Sequence, residues 1–164
     1  MPHVSFVAGV LVPKLGLGTG LVMMSFRACA LGRTECCAIV EGYERAFGLD
    51  GPATLSDMQN LTSVLGNDGR RKLTITAPGC ARITADELSI VAMFAAAQAD
   101  DAAGRDAHLL WLLAKSPGRQ VSALVSRIAD TFGRHGLHIK APPAVVQIRV
   151  PPREALIVQD GGRA

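Results

Sequence analysis

The sequence predicts a mostly α-helical protein, a bundle of five to six helices with one short β-hairpin or strand near residues 71–83 and an irregular C-terminal tail. Two observations lead to this fold class. Apolar residues recur at helical spacing through most of residues 21–140, whereas alternation with a period of two occurs near residues 71–83. The 164 residues are also 49% hydrophobic, which is enough for a core that needs no disulfide or metal.

The N-terminal part of the chain is apolar from Val4 to Phe26, a stretch long enough to cross a bilayer. Lys14 near its middle and the neighbouring Pro13 disfavour a membrane-spanning helix. The first residues also lack the basic region of a secretory signal. We therefore expect a cytoplasmic protein without a membrane span.

Glycine and proline divide the chain into three regions. Residues 1–20 contain Pro13 and several glycines, and we expect them to form a flexible, dispensable apolar extension. Residues 21–140 carry the helical patterns and are expected to form a single helical domain. Residues 141–164 contain two Pro-Pro pairs and are expected to form a Pro-rich tail.

Three helices are predicted in the first half of the chain, over residues 20–31, 34–47 and 52–65. Thr34 can cap the second helix and Pro52 is suited to the start of the third. The apolar face of the second helix contains Cys36, Ile39, Val40, Tyr43 and Phe47. This spacing places all five side chains on one side of the helix.

Between residues 71 and 83 the pattern changes. Leu73 and Ile75 alternate with Thr74 and Thr76 ahead of a Pro-Gly turn. Such alternation is typical of a half-buried strand, so this region predicts one short hairpin or a lone strand.

A capping box formed by Thr84 and Glu87 opens the next helix, over residues 85–99. This helix is apolar on all sides, which is typical of the central element of a bundle. Two more helices are predicted, one ending near Ala114 and an amphipathic one that begins near Ser116.

The helix over residues 85–99 also suggests a partner surface. If the domain covers only one of its apolar faces, Ile90, Met93 and Phe94 form an exposed patch. A second copy of the chain would then cover this patch by two-fold pairing, giving a homodimer. The alternative is that the helix is the buried centre of a monomer.

The charge balance disfavours nucleic acid as a partner, because 17 Lys and Arg against 14 Asp and Glu give a net charge of only +3. The best case for DNA is a resemblance to a winged helix-turn-helix, in which the helices over 34–47 and 52–65 precede Arg70-Arg71-Lys72. However, the second of these helices carries Asp57 and no Lys or Arg, which suits a phosphate-lined groove poorly.

No residue is assigned to catalysis, to a cofactor or to a metal. The cysteines are Cys29, Cys36, Cys37 and Cys80. They include no Cys-x-x-Cys pair, and Cys36 falls on a predicted core face. His135 and His138 have the spacing of half a metal site, but Gly136 interrupts the helix that would align them. The roles of Cys37 and of this histidine pair stay open.

Two further motifs fail on spacing or context. The glycines between Gly16 and Gly20 lack the spacing of a dinucleotide-binding loop and indicate a flexible linker. Asp106 and His108 could join a serine in a triad, but the sequence contains no nucleophile elbow.

These patterns favour a non-enzymatic helical protein that acts through protein contacts, as an interaction or regulatory module that self-associates. A winged-helix-like DNA-binding regulator is the alternative. The third class is an enzyme whose site is assembled from scattered residues.

Overall fold

The computed structural model describes Val4 and residues 6–140, so the predicted tail at 141–164 lies outside the described residues. The described part contains six α-helices and two short strands. In chain order these are β1 (Phe6–Leu11), α1 (Leu17–Ala30), α2 (Cys37–Phe47), α3 (Gly51–Asp68), β2 (Arg82–Thr84), α4 (Ala85–Gln98), α5 (Ala102–Leu112) and α6 (Arg119–Arg134). The predicted mostly α-helical fold class is therefore confirmed.

Helix α4 lies at the centre of the bundle, where it packs against α1, α5 and α6. The predicted capping box is present, because the Thr84 hydroxyl accepts a hydrogen bond from the Glu87 N–H and the Glu87 carboxylate accepts one from the Thr84 N–H. Ile90, Met93 and Phe94 are each 0% exposed within the single chain. The expectation of an exposed patch at these residues is therefore wrong, since neighbouring helices cover both apolar faces.

Residues 6–20 are part of the folded domain, contrary to the expectation of a flexible extension over residues 1–20, of which residues 1–3 and Ser5 lie outside the described residues. Strand β1 pairs with β2 in antiparallel orientation, with Phe6 opposite Thr84. Val10, Val12 and Leu15 follow into the hydrophobic core. Of the region predicted as a hairpin or strand near residues 71–83, only Arg82 and Ile83 lie in a strand, β2, whose partner is the distant β1 and not a neighbouring strand. The alternating residues Leu73 to Thr76 form no strand.

The glycines at positions 16–20 are also not a linker. They form the start of α1, where Gly18 is buried against the chain that follows α6. A Cβ atom on Gly18 would lie 2.3 Å from the backbone oxygen of His138. Glycine therefore allows a close approach of two backbones at this point.

None of the helices in the described residues has the combination of length and apolar character that a membrane span requires. α3 is the longest of them and carries polar side chains along its exposed face.

Candidate binding cleft

Residues 71–77 lie between α3 and β2 and are not helical; we call them the connecting segment. Two carboxylates in the first turn of α4 hold this segment. The Thr74 N–H donates to Asp86 Oδ2 at 2.7 Å, and the Thr76 N–H donates to Glu87 Oε1 at 2.9 Å. The Thr84 hydroxyl donates to the Thr74 carbonyl at 2.7 Å. The connecting segment is thus fixed to the start of the central helix.

Glu87 also forms a buried ion pair with Arg27 of α1. Arg27 Nε donates to Glu87 Oε1 at 2.7 Å and Nη2 donates to Oε2 at 3.0 Å, with side-chain exposures of 1% and 0%. Nη1 also donates to the carbonyl of Cys80 at 2.6 Å, and Nη2 donates to the carbonyl of Arg82 at 2.8 Å. One arginine therefore joins α1, α4 and the chain leading into β2.

Burial by itself would raise the pKa of Glu87. The hydrogen bonds from Arg27 and from the backbone N–H groups of Thr76 and Thr84 outweigh burial and lower this pKa below its ordinary value. Glu87 is consequently a charged structural residue at neutral pH, with its acceptor capacity used inside the fold.

The basic triplet of the sequence lies at the start of the connecting segment. Arg71 forms a bidentate ion pair with Asp86, and the hydrogen bond raises the pKa of Arg71. Its guanidinium also lies 5.9 Å from the ring centroid of Trp111. The Lys72 side chain is exposed and makes no ion pair with a described residue, whereas Arg70 is half-buried. Much of the charge of Arg71 is thus already balanced.

A cleft of about 690 Å³ lies between the C-terminal half of α1, one face of α3 and the connecting segment. Its apolar part is lined by Phe26, Cys29, Ala30, Leu31, Leu65, Gly66, Leu73 and Ile75. Its polar part is lined by Thr34, Gln59, Thr62, Ser63, Asn67, Arg71 and Lys72. Among the described residues the lining therefore includes two cations and no carboxylate or histidine, which favours an anionic ligand.

Cys29 is the thiol in this cleft. Burial raises its pKa to about 11, so the thiol is protonated at neutral pH. A protonated thiol is a weak nucleophile, and the described lining supplies no base to activate it.

The other cysteines lie elsewhere. Cys36 and Cys37 are exposed at the start of α2, and Cys80 is half-buried before β2. The placement of Cys36 on a core face is wrong, because the helix begins one residue later and Ile39, Tyr43 and Phe47 form its buried side. Within Val4 and residues 6–140, no three metal-ligating side chains form a group that could hold an ion.

The described residues include three histidines, of which His135 and His138 are exposed and His108 is half-buried. His135 Nε2 lies 3.0 Å from Asp50 Oδ2, whereas His138 is exposed beyond the helix end. His108 Nδ1 lies 3.0 Å from the hydroxyl of Ser89, and burial lowers the pKa of this histidine. Ser89 is 1% exposed, so a substrate cannot reach its hydroxyl.

The cleft was not predicted from the sequence, although two features of the sequence relate to it. The polar face of α3 was visible at helical spacing, but nothing local indicated that the connecting segment would face it. Arg27 was also visible as a lone cation in the apolar run of α1. A long charged side chain inside such a run points to a buried partner, but that partner lies in a distant part of the chain.

Comparison with known proteins identified no relative of this chain. No family model, no curated protein and no solved structure matches this chain.

Proposed function

We propose that this protein is a non-enzymatic interaction module whose cleft binds an acidic segment of a partner protein. The observation that carries the proposal is the described lining of the cleft, which combines an apolar floor with Arg71, Lys72 and neutral hydroxyl and amide groups, without a carboxylate. Concave sites with an apolar lining and a few convergent polar groups are typical binding sites.

Several features support binding over catalysis. The raised pKa of Cys29 keeps the thiol protonated. The described lining supplies no carboxylate or histidine that could serve as a general base. The hydroxyl and amide groups of Thr62, Ser63 and Asn67 suit hydrogen bonding to a ligand.

An acidic protein segment suits the cleft better than nucleic acid does. Duplex DNA binding gains a large share of its free energy from Lys and Arg side chains that neutralise several phosphates. Here Arg71 is already paired with Asp86, and Lys72 is the other cation of the described lining. The exposed face of α3 also carries no cation. The exposed Lys72 and the partly balanced Arg71, beside an apolar floor, favour a short segment that mixes a few carboxylates with apolar side chains.

Self-association stays a prediction. Ile90, Met93 and Phe94 are buried within the single chain and therefore cannot form the dimer interface. The acidic segment of the proposal belongs to a different protein.

The test uses a labelled pool of peptides in which Glu alternates with Val, Ile, Leu or Phe, measured by fluorescence anisotropy against the full chain. We expect binding that weakens as salt increases. Lys72→Glu should weaken it about tenfold, equivalent to about 1.4 kcal/mol. The matched control is Lys140→Glu, which makes the same charge change at an exposed lysine outside the cleft.

Two further probes complete the test. A peptide pool with Lys in place of Glu should not bind. Equal binding of both pools, or an equal loss in Lys72→Glu and Lys140→Glu, would contradict the proposal. Binding of duplex DNA that depends on Lys72, without binding of the Glu peptides, would instead support the DNA-binding regulator.

A further inference from the structure

The connecting segment has the alternation of a β-strand. The backbone N–H groups of Thr74 and Thr76 point toward the carboxylates of Asp86 and Glu87, whereas the intervening Ile75 contributes to the cleft lining. In an extended chain, backbone groups of successive residues point to opposite edges, and side chains alternate between the two faces. One edge of this segment is therefore paired with the first turn of α4.

The opposite edge is formed by the N–H and C=O groups of Leu73 and Ile75. These four groups make no hydrogen bond with any described residue. Both residues are half-buried, and both line the cleft. An extended segment with one satisfied edge and one open edge is the template that strand addition requires.

We infer that the acidic segment binds as an added β-strand along this open edge, at Leu73 and Ile75. This inference rests on the proposed function, because it specifies how the same cleft holds its ligand. The N–H groups of Leu73 and Ile75 would donate to carbonyls of the segment, and their C=O groups would accept from its N–H groups. The occupant is acidic because the exposed Lys72, which makes no ion pair with a described residue, adjoins this edge and no carboxylate belongs to the described lining.

Because side chains alternate between the two faces of a strand, the strand geometry predicts which residue types the added segment carries. Alternate residues of an added strand lie on the face shared with Leu73 and Ile75, beside the apolar floor that includes Phe26 and Leu65. These positions suit apolar residues. The intervening positions suit carboxylates, which gain from the nearby cations. A pattern of alternating acidic and apolar residues therefore fits the cleft.

The experiment compares two isomers of the alternating Glu–Val peptide, one N-methylated on every Val nitrogen and one on every Glu nitrogen. An added strand directs only one of these two sets of N–H groups toward the protein. We expect one isomer to lose about tenfold or more in affinity and the other to stay within about twofold of the unmethylated peptide.

A pair of protein variants tests the same edge. Ile75→Pro replaces the isoleucine side chain with a smaller ring and removes the N–H of the open edge, and proline favours an extended residue before it, as the connecting segment requires. Ile75→Ala removes the side chain alone. We expect Ile75→Pro to bind the peptide several-fold more weakly than Ile75→Ala, with both variants folded by thermal unfolding.

The outcomes separate the two proposals. If the unmethylated peptide binds and both methylated isomers bind equally well or equally badly, strand addition is overturned and the proposed function stands. If no peptide of the Glu pool binds, the Glu–Val peptide included, the proposed function fails. If a variant ending at Lys140 binds the peptide much more tightly than the full chain, the chain's own C-terminal segment occupies this edge, and the assignment to a partner is overturned.

Discussion

Arg27 and Glu87 lie 60 positions apart in the chain and form a two-pronged ion pair that is almost fully withdrawn from water. Glu87 is also the third residue of α4, where it forms the capping box with Thr84, and it accepts hydrogen bonds from Thr76. The same carboxylate therefore caps the central helix, balances a buried cation and holds the connecting segment beside the cleft.

Replacing Arg27 in this ion pair should strongly lower the free energy of unfolding. Arg27→Met leaves Glu87 charged and buried without its cation, so we expect a loss of about 3–5 kcal/mol in the free energy of unfolding. Arg27→Met with Glu87→Gln removes both charges, although the single amide oxygen can replace only one of the two carboxylate oxygens that accept from Thr76 and Thr84. The double variant should still be more stable than Arg27→Met, because it leaves no unpaired charge buried. Urea denaturation measures both values. Equal stability of the two variants would contradict this account.

The N-terminal strand should be required for stability. Deleting residues 1–12 removes the pairing of β1 with β2 and the buried side chains of Val10 and Val12. Each buried valine contributes about 1.5 kcal/mol or more, so we expect a loss of at least about 3 kcal/mol. Deleting residues 1–4, which precede β1, is the control. Thermal unfolding measures the difference, and equal melting temperatures of the two deletions would show that β1 adds nothing.

Two glycines of α1 should respond oppositely to alanine. Gly18→Ala places a Cβ atom 2.3 Å from the His138 oxygen, so it should destabilise the protein by separating the two backbones. Gly20→Ala meets no atom within 4 Å and should stabilise the helix by up to about 1 kcal/mol. Thermal unfolding of the two variants gives the sign of each effect. A neutral Gly18→Ala would argue against the close approach.

Phe94 should behave as a core residue. Phe94→Ala leaves a cavity at the centre of the bundle and should cost about 3–5 kcal/mol without altering the oligomeric state. Leu110→Ala, at a side chain that is 43% exposed, should cost far less. Light scattering together with urea denaturation checks both properties. A stable Phe94→Ala protein that changes from dimer to monomer would restore the interface at this helix.

His108 should make stability depend on pH. Burial lowers its pKa in the folded chain below the value of about 6.5 expected when unfolded. As pH falls below about 6.5, the unfolded chain binds a proton first, so the free energy of unfolding decreases until the folded-state pKa is reached. His108→Gln should reduce this decrease between about pH 7 and pH 5. Urea denaturation across this range measures the slope, and identical slopes in the wild type and His108→Gln would refute the assignment.

Local sequence patterns predicted the helices well, because their signals lie within a few residues of each other. The Thr84–Glu87 capping box, the helix over residues 85–99 and the amphipathic helix that begins near Ser116 all follow from neighbouring side chains. The apolar character of α4 correctly indicated a central helix. The proposed patch at Ile90, Met93 and Phe94 required knowing how many helices would cover α4, and the spacing of residues within one helix carries no such information.

The sequence by itself therefore determined the mostly helical class, the central helix and most helix boundaries, since these depend on periodicity and capping over short distances. Tertiary structure alone decided that β1 pairs with β2, that Arg27 meets Glu87 and that the connecting segment faces α3 to form the cleft. Each of these depends on contacts between residues far apart in the chain, which become favourable only when the whole core closes around them.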